Sequence, residues 1–195
     1  GHENVALLDG GLPRWKAEGR PLETAPPKVP PRQFAARFRP ELVCDKAALL
    51  ADLGVHREQV VDARAAGRFE GTAPETWPGR RRGHIPGSRN VHYATLVRDD
   101  GTLREPAALR AIMDAAGVAL DRPIVASCGS GVTACAVVLA LEVLGARETA
   151  VYDGSWTEWG GRRDAPRPFD RVIIRNFWKF FNETATTENV SHWNK

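Results

Sequence analysis

The 195-residue sequence predicts an α/β fold, a central parallel sheet with helices on both faces. Three observations carry that reading. Short apolar runs of strand length, QVVDA, PIVAS and TAVY, alternate with segments of helical length. The helical segments open on a capping aspartate (Asp45) or a first-turn proline (Pro106). A small, glycine-rich turn joins one strand to one helix at Cys128, and in parallel sheets of this kind the reactive loop sits at the carboxyl end of a central strand.

Taken in order, Asp45 caps a helix over residues 46–53, which Gly54 ends. A buried strand covers residues 59–63, and a long polar loop follows through Gly87. RNVHY, residues 89–93, is a short strand. Pro106 opens a helix through Ala116, because the N–H that proline lacks would be unpaired in a first turn anyway. Residues 123–127 form the next strand. A helix from Thr133 or Ala134 to Leu144 turns Val137, Val138, Leu141 and Leu144 inward. TAVYDG holds the last strand.

With 43% hydrophobic and 26% charged residues, the chain can bury one domain core and carry extra segments. The net charge of +3 suits an anionic substrate, and no nucleic-acid partner is expected. Arg80, Arg81 and Arg82, the one dense basic run, read as a solvated loop. Cys44, Cys128 and Cys135 show no paired spacing. Their odd number points to reduced thiols and a cytoplasmic location. The five histidines lack metal-ligand spacing, so no metal is expected. No apolar run reaches the roughly 18 residues of a membrane span, and no signal peptide is evident, so no membrane association is expected.

GHENVALLDGGLPRW (residues 1–15) aligns with GARETAVYDGSWTEW (residues 145–159), with identities at Gly1/Gly145, Ala6/Ala150, Asp9/Asp153, Gly10/Gly154 and Trp15/Trp159. Both copies read as a short strand, an Asp-Gly turn and a tryptophan. The expectation is a duplicated domain. Residues 1–23 are then the remnant of a first domain, with Gly1 not its natural start. Residues 24–33 are a proline-rich linker, residues 34–168 the catalytic copy, and residues 169–195 an atypical aromatic and asparagine-rich tail. In the tail, Ile173, Ile174, Phe177, Trp178 and Phe181 share one helical face. That face could pack on its own domain, meet a missing domain, lie on a membrane surface, or be foreign to the rest. The glycosylation-type triplets at Asn182 and Asn189 read as accidental in a reduced-thiol protein.

Cys128 ends a strand just ahead of a helix. Residues 129–133, Gly129, Ser130, Gly131, Val132 and Thr133, let successive backbone N–H groups turn inward as an anion nest, and the helix terminus adds the positive end of its dipole. Both favour the nucleophilic thiolate. The plain alternative is a buried structural cysteine. Cys135, inside the helix, reads as structural, and Cys44, on a connector, as incidental. A tyrosine-phosphatase cradle would need arginine six residues after the cysteine, where this chain has Ala134.

CGSGVTA (residues 128–134) resembles the active-site loop of the 3-mercaptopyruvate sulfurtransferases of the rhodanese superfamily. DARAAGRFEG (62–71), GHIPGSRNV (83–91) and YDGSWTEWG (152–160) resemble further signatures of that family, in order, and the likeness runs from Val5 to about Pro168. It implies a rhodanese-like domain, the second of a tandem, with its site at the interface of the two domains. It implies a persulfide on Cys128, a small-molecule sulfur donor, and a thiol, thioredoxin or cyanide as acceptor, with no metal or organic cofactor. The loop lacks the cations of thiosulfate-specific members, and Arg68 matches an arginine that binds the substrate carboxylate. The family's second substrate arginine is Trp77 here, and Arg80 or a neighbour could stand in for it. Asp62, Arg64 and His84 read as structural, and Trp156, Glu158 and Trp159 as packing at the sheet edge or under the loop. A thiosulfate:cyanide sulfurtransferase and a non-catalytic rhodanese binding module are the alternatives.

Overall fold

The computed structural model describes residues 4–162 and 164–167. The tail's apolar face and both glycosylation-type triplets lie outside the described residues. Five parallel strands, β1 (Val43–Cys44), β2 (Gln59–Asp62), β3 (Arg89–Asn90), β4 (Ile124–Ser127) and β5 (Thr149–Tyr152), form one sheet in the order β1-β5-β4-β2-β3. The strand that leads into Cys128 is therefore the central one.

Strand side chains alternate between faces, so the sheet has two cores. Val61, Ile124, Ala126 and Val151 pack on one face with Leu109 and Met113 of α4 (Pro106–Ala115) and Val137 and Leu141 of α5 (Ala134–Val143). Val60, Val125 and Tyr152 pack on the other with Leu49 of α2 (Lys46–Asp52) and Trp156 and Trp159 of α6 (Ser155–Trp159). Helices thus cover both faces, as the alternating pattern requires. The Asp45 carboxylate accepts the Ala48 N–H at 2.8 Å, the N-cap bond expected there.

Several expectations need correction. A single helical turn, α3 (Ala66–Phe69), interrupts the long polar loop. Hydrophobic periodicity cannot register so short an element. RNVHY supplies only the two residues of β3, and Tyr93–Leu96 winds into a 3-10 turn that buries Leu96. Cys44 is no connector residue. It lies in β1, packs in the second core, and burial beside Glu58, Asp45 and Asp52 pushes its thiol up to about 12. Arg81 is not simply solvated. Its guanidinium donates to the carbonyls of Trp159 (3.0 Å), Gly160 (3.2 Å), Ala165 (2.7 Å) and Arg162, clamping the chain where it leaves α6.

The two sequence copies differ. Residues 149–152 form β5, whereas residues 5–8 form no strand and leave Val5, Leu7 and Leu8 exposed. The helix recurs, however, though the turn before it does not: Gly10 is left-handed at φ 81° and Gly154 right-handed at φ −58°. Helix α1 (Gly11–Ala17) occupies the aligned sequence position of α6, and Gly11 and Ser155 have left-handed φ values of 58° and 47°. The Trp15 indole donates to the Pro21 carbonyl as the Trp159 indole donates to that of Pro166.

Replacing Asp45 with alanine removes the α2 cap. It should lower unfolding free energy by about 1 kcal/mol, read as a lower urea midpoint at unchanged slope.

Candidate active site

Cys128 follows β4 directly and is 1% exposed. The loop after it is held from behind. The Cys128 N–H donates to Ser155 Oγ at 3.0 Å, and that hydroxyl donates to the Tyr152 carbonyl at 2.7 Å. The Cys128 carbonyl accepts the Trp156 N–H at 3.0 Å. The Gly129 carbonyl accepts the Thr157 N–H at 2.8 Å and the Thr157 hydroxyl at 2.6 Å. In a trans peptide the C=O and N–H point in opposite directions. Anchoring the Gly129 carbonyl on α6 therefore turns the Ser130 N–H to the other side, towards Sγ.

The thiol environment follows from this backbone. Burial alone would push the Cys128 thiol up. The Thr133 hydroxyl and the N–H groups of Ser130, Ala134 and Thr133 outweigh burial and hold it below its ordinary value. Gly131 sits at φ 86°, where an added Cβ would meet the Asp153 carbonyl oxygen at 2.9 Å. Ser130 and Val132 face solvent, Val132 at 74% exposure, while Thr133 is half-buried.

Arg68 belongs to α3, and its guanidinium lies against Gly129. A Cβ there would be 3.2 Å from Nη2 and 3.7 Å from Nη1. Its Nε and Nη2 donate to Glu75 Oε2 at 3.2 and 2.7 Å. Glu75, overlooked in the sequence, is 3% exposed and also accepts Arg64 Nη1 through Oε1 at 2.8 Å. Arg64 spends its remaining donors on Asp62 and the Gly83 carbonyl and stacks over Trp156 at 4.5 Å. The His84 Nδ1 bonds the Phe69 carbonyl at 2.7 Å and the ring stacks on Phe69 at 3.8 Å, steadying α3. Burial pushes His84 down, towards its neutral form.

The structure thus brings Cys128, residues 129–133 and Arg68 together. Trp77 is exposed, and the Arg80 guanidinium donates to the Pro78 carbonyl at 3.4 Å and lies against Gly161. Cys135, read as structural, is not packed in the core. Its thiol is exposed, with Sγ 3.6 Å from the Gly131 carbonyl, because the inward face of α5 is taken by Ala134, Val137 and Leu141. Among the described residues, no cluster of His, Cys, Asp or Glu could hold a metal, and no helix is long and apolar enough to cross a membrane.

A five-stranded parallel sheet with a thiolate-stabilising loop at the end of its central strand places the chain in a defined class. It belongs to the rhodanese-like domain family, which it matches over residues 45–162. It is 44% identical over 166 residues to the 3-mercaptopyruvate sulfurtransferase of Escherichia coli (strain K12), covering 85% of this chain and 59% of that protein. It is 41% identical over 160 residues to the thiosulfate sulfurtransferase of Rattus norvegicus, covering 82% of this chain and 54% of that protein. The chain thus spans little more than half the length of these relatives. The crystal structure of SseA from Escherichia coli, described as a 3-mercaptopyruvate sulfotransferase, superposes with a TM-score of 0.69 at 42% identity, over 79% of this chain and 57% of that one.

Replacing Thr133 with valine removes one donor to the thiolate. The pH midpoint of Cys128 alkylation by iodoacetamide should rise by about one unit, followed on the Cys128 peptide by mass spectrometry. Labelling near neutral pH should slow accordingly.

Proposed function

We propose that the chain transfers sulfane sulfur from 3-mercaptopyruvate through a persulfide on Cys128 to a thiol, thioredoxin or cyanide. The observation that carries this reading is a buried thiol held below its ordinary value in a loop without cationic side chains, with one arginine fork at its rim. The Cys128 thiolate attacks the donor sulfur, and the carbon–sulfur bond breaks. The departing electron pair stays on carbon as the pyruvate enolate. That carbon takes up a proton as the outer sulfur releases one, leaving pyruvate and an ionised persulfide. The backbone N–H groups of Ser130, Thr133 and Ala134 stabilise the charge on sulfur, and Arg68 receives the donor carboxylate. The acceptor thiolate or cyanide then attacks the outer sulfur, restoring Cys128.

The same reading takes the recurring helix and indole-to-proline bond of residues 11–21 as the trace of a duplicated domain, and the unpaired Cys44, Cys128 and Cys135 as suited to a reducing, cytoplasmic setting. The 41% identity to a thiosulfate sulfurtransferase supports thiosulfate as the rival donor.

Pyruvate release from mercaptopyruvate, measured beside thiocyanate formation from thiosulfate, tests the assignment. Cys128→Ser should abolish both, whereas Cys135→Ser should retain most activity. Arg68→Ala should raise KM for mercaptopyruvate by the worth of a charged hydrogen bond, about 1.5–3 kcal/mol. A larger kcat/KM for thiosulfate than for mercaptopyruvate would reverse the choice of donor.

A further inference from the structure

Glu75 links the core to the rim of the sulfur site. Its two oxygens face two arginines. Oε1 bonds Arg64, which is 1% exposed and locked on Asp62 and the Gly83 carbonyl. Oε2 bonds the Nε and Nη2 groups of Arg68. Arg68 is thereby gripped along one side of its guanidinium, and its Nη1 carries no hydrogen bond among the described residues. Nη1 and Nη2 are the nitrogens nearest Gly129. Asp62 and Glu75 balance Arg64 and Arg68, so this cluster has no net charge before a donor arrives.

We propose that Glu75 is the specificity-determining positioning residue of the site: it aims the Nη1/Nη2 edge of Arg68 at the cysteine loop and cancels its charge, selecting a planar monocarboxylate donor over a dianion. This rests on the sulfur-transfer reading above. A fork held in place rewards a carboxylate that presents two oxygens in one plane. A balanced cluster offers little to a second negative charge. Both effects favour mercaptopyruvate over thiosulfate, so removing Glu75 moves the ratio between them in one direction.

Glu75→Gln keeps the side-chain shape but loses the charge and one acceptor. The ratio of kcat/KM for mercaptopyruvate to that for thiosulfate should fall about tenfold or more, through a higher KM for mercaptopyruvate with kcat held within about threefold. Arg68→Lys leaves the Glu75–Arg64 bond intact and serves if the first variant does not fold. Its ammonium is spent on Glu75 and has no second edge, so it should lose the preference as Arg68→Ala does. A merely structural role would instead lower both donors together, along with iodoacetamide labelling of Cys128.

Labelling of Cys128 by iodoacetate relative to iodoacetamide reads the same aim without turnover. The ratio should fall about tenfold in Glu75→Gln, because the lost fork outweighs the roughly threefold attraction of one screened extra charge. If the wild-type chain turned over neither donor, the sulfur-transfer reading would fail while the labelling ratio still decided the role of Glu75. Unchanged donor and labelling ratios in Glu75→Gln, or a wild-type KM in Arg68→Lys, would overturn the proposal.

Discussion

The carbonyls of Cys128 and Gly129 are bonded to the first turn of α6, and that orientation constrains what the other side of the loop can do. A peptide unit has one donor and one acceptor, fixed in opposite directions. Once Trp156 and Thr157 take the carbonyls, the following N–H groups have no partner on the α6 side. The Ser130 N–H points to the thiol, where those of Thr133 and Ala134 join it. A loop of the same composition without α6 behind it could turn its carbonyls inward, and these would repel a thiolate. The anion-stabilising character of the loop is therefore a tertiary property, built by a helix that follows it by more than twenty residues.

The arginine–carboxylate cluster answers a different requirement. The loop supplies donors but no full charge, and the guanidinium that lies against it is that of Arg68, a quarter of whose side chain is exposed. A long, partly exposed side chain ordinarily samples many rotamers, and ordering it on binding costs free energy. Chaining Arg68 through Glu75 to the buried Arg64 meets that cost during folding rather than on binding. The same chain ties the DAR turn after β2, the GHIPG turn through Gly83, and Trp156 of α6 into one unit. Three of the four sequence signatures are thus stitched together by one guanidinium, which explains why Asp62 and Arg64 read as structural while still governing the site.

Much of this was legible in the sequence because it is local. Asp45 caps α2, Pro106 opens α4, and an apolar run followed by a glycine-rich turn identifies the thiol junction. The pieces that escaped share one feature. The strand character of Val43–Cys44 exists only because β5 lies beside it. Helix α3 is too short for periodicity to reveal. Glu75 sits in a stretch with no pattern at all, and its importance arises from two arginines brought to it by folding. Cys135 escaped for the opposite reason. On a helix apolar on nearly every side, the sequence does not say which face turns to solvent.

The two copies separate these local and tertiary contributions within one chain. D-G-x4-W encodes a short helix and an indole-to-proline bond in both places, although the glycine ahead of the helix is left-handed in the first (Gly10, φ 81°) and right-handed in the second (Gly154, φ −58°), so the helix and its indole bond need no sheet. The apolar residues before it become a strand only in the second copy, where β4 and β1 offer backbone partners. One position then stands out. The first copy places glycine at the left-handed residue that opens its helix, Gly11, at no steric cost. The second places Ser155 there, fully buried, where a side chain costs about 1–2 kcal/mol. Its hydroxyl offsets that strain by accepting the Cys128 N–H and donating to the Tyr152 carbonyl, bonds that glycine could not make. The strain sits at the residue that ties the cysteine loop to the last strand. The copy that has no such loop beside it uses the unstrained glycine.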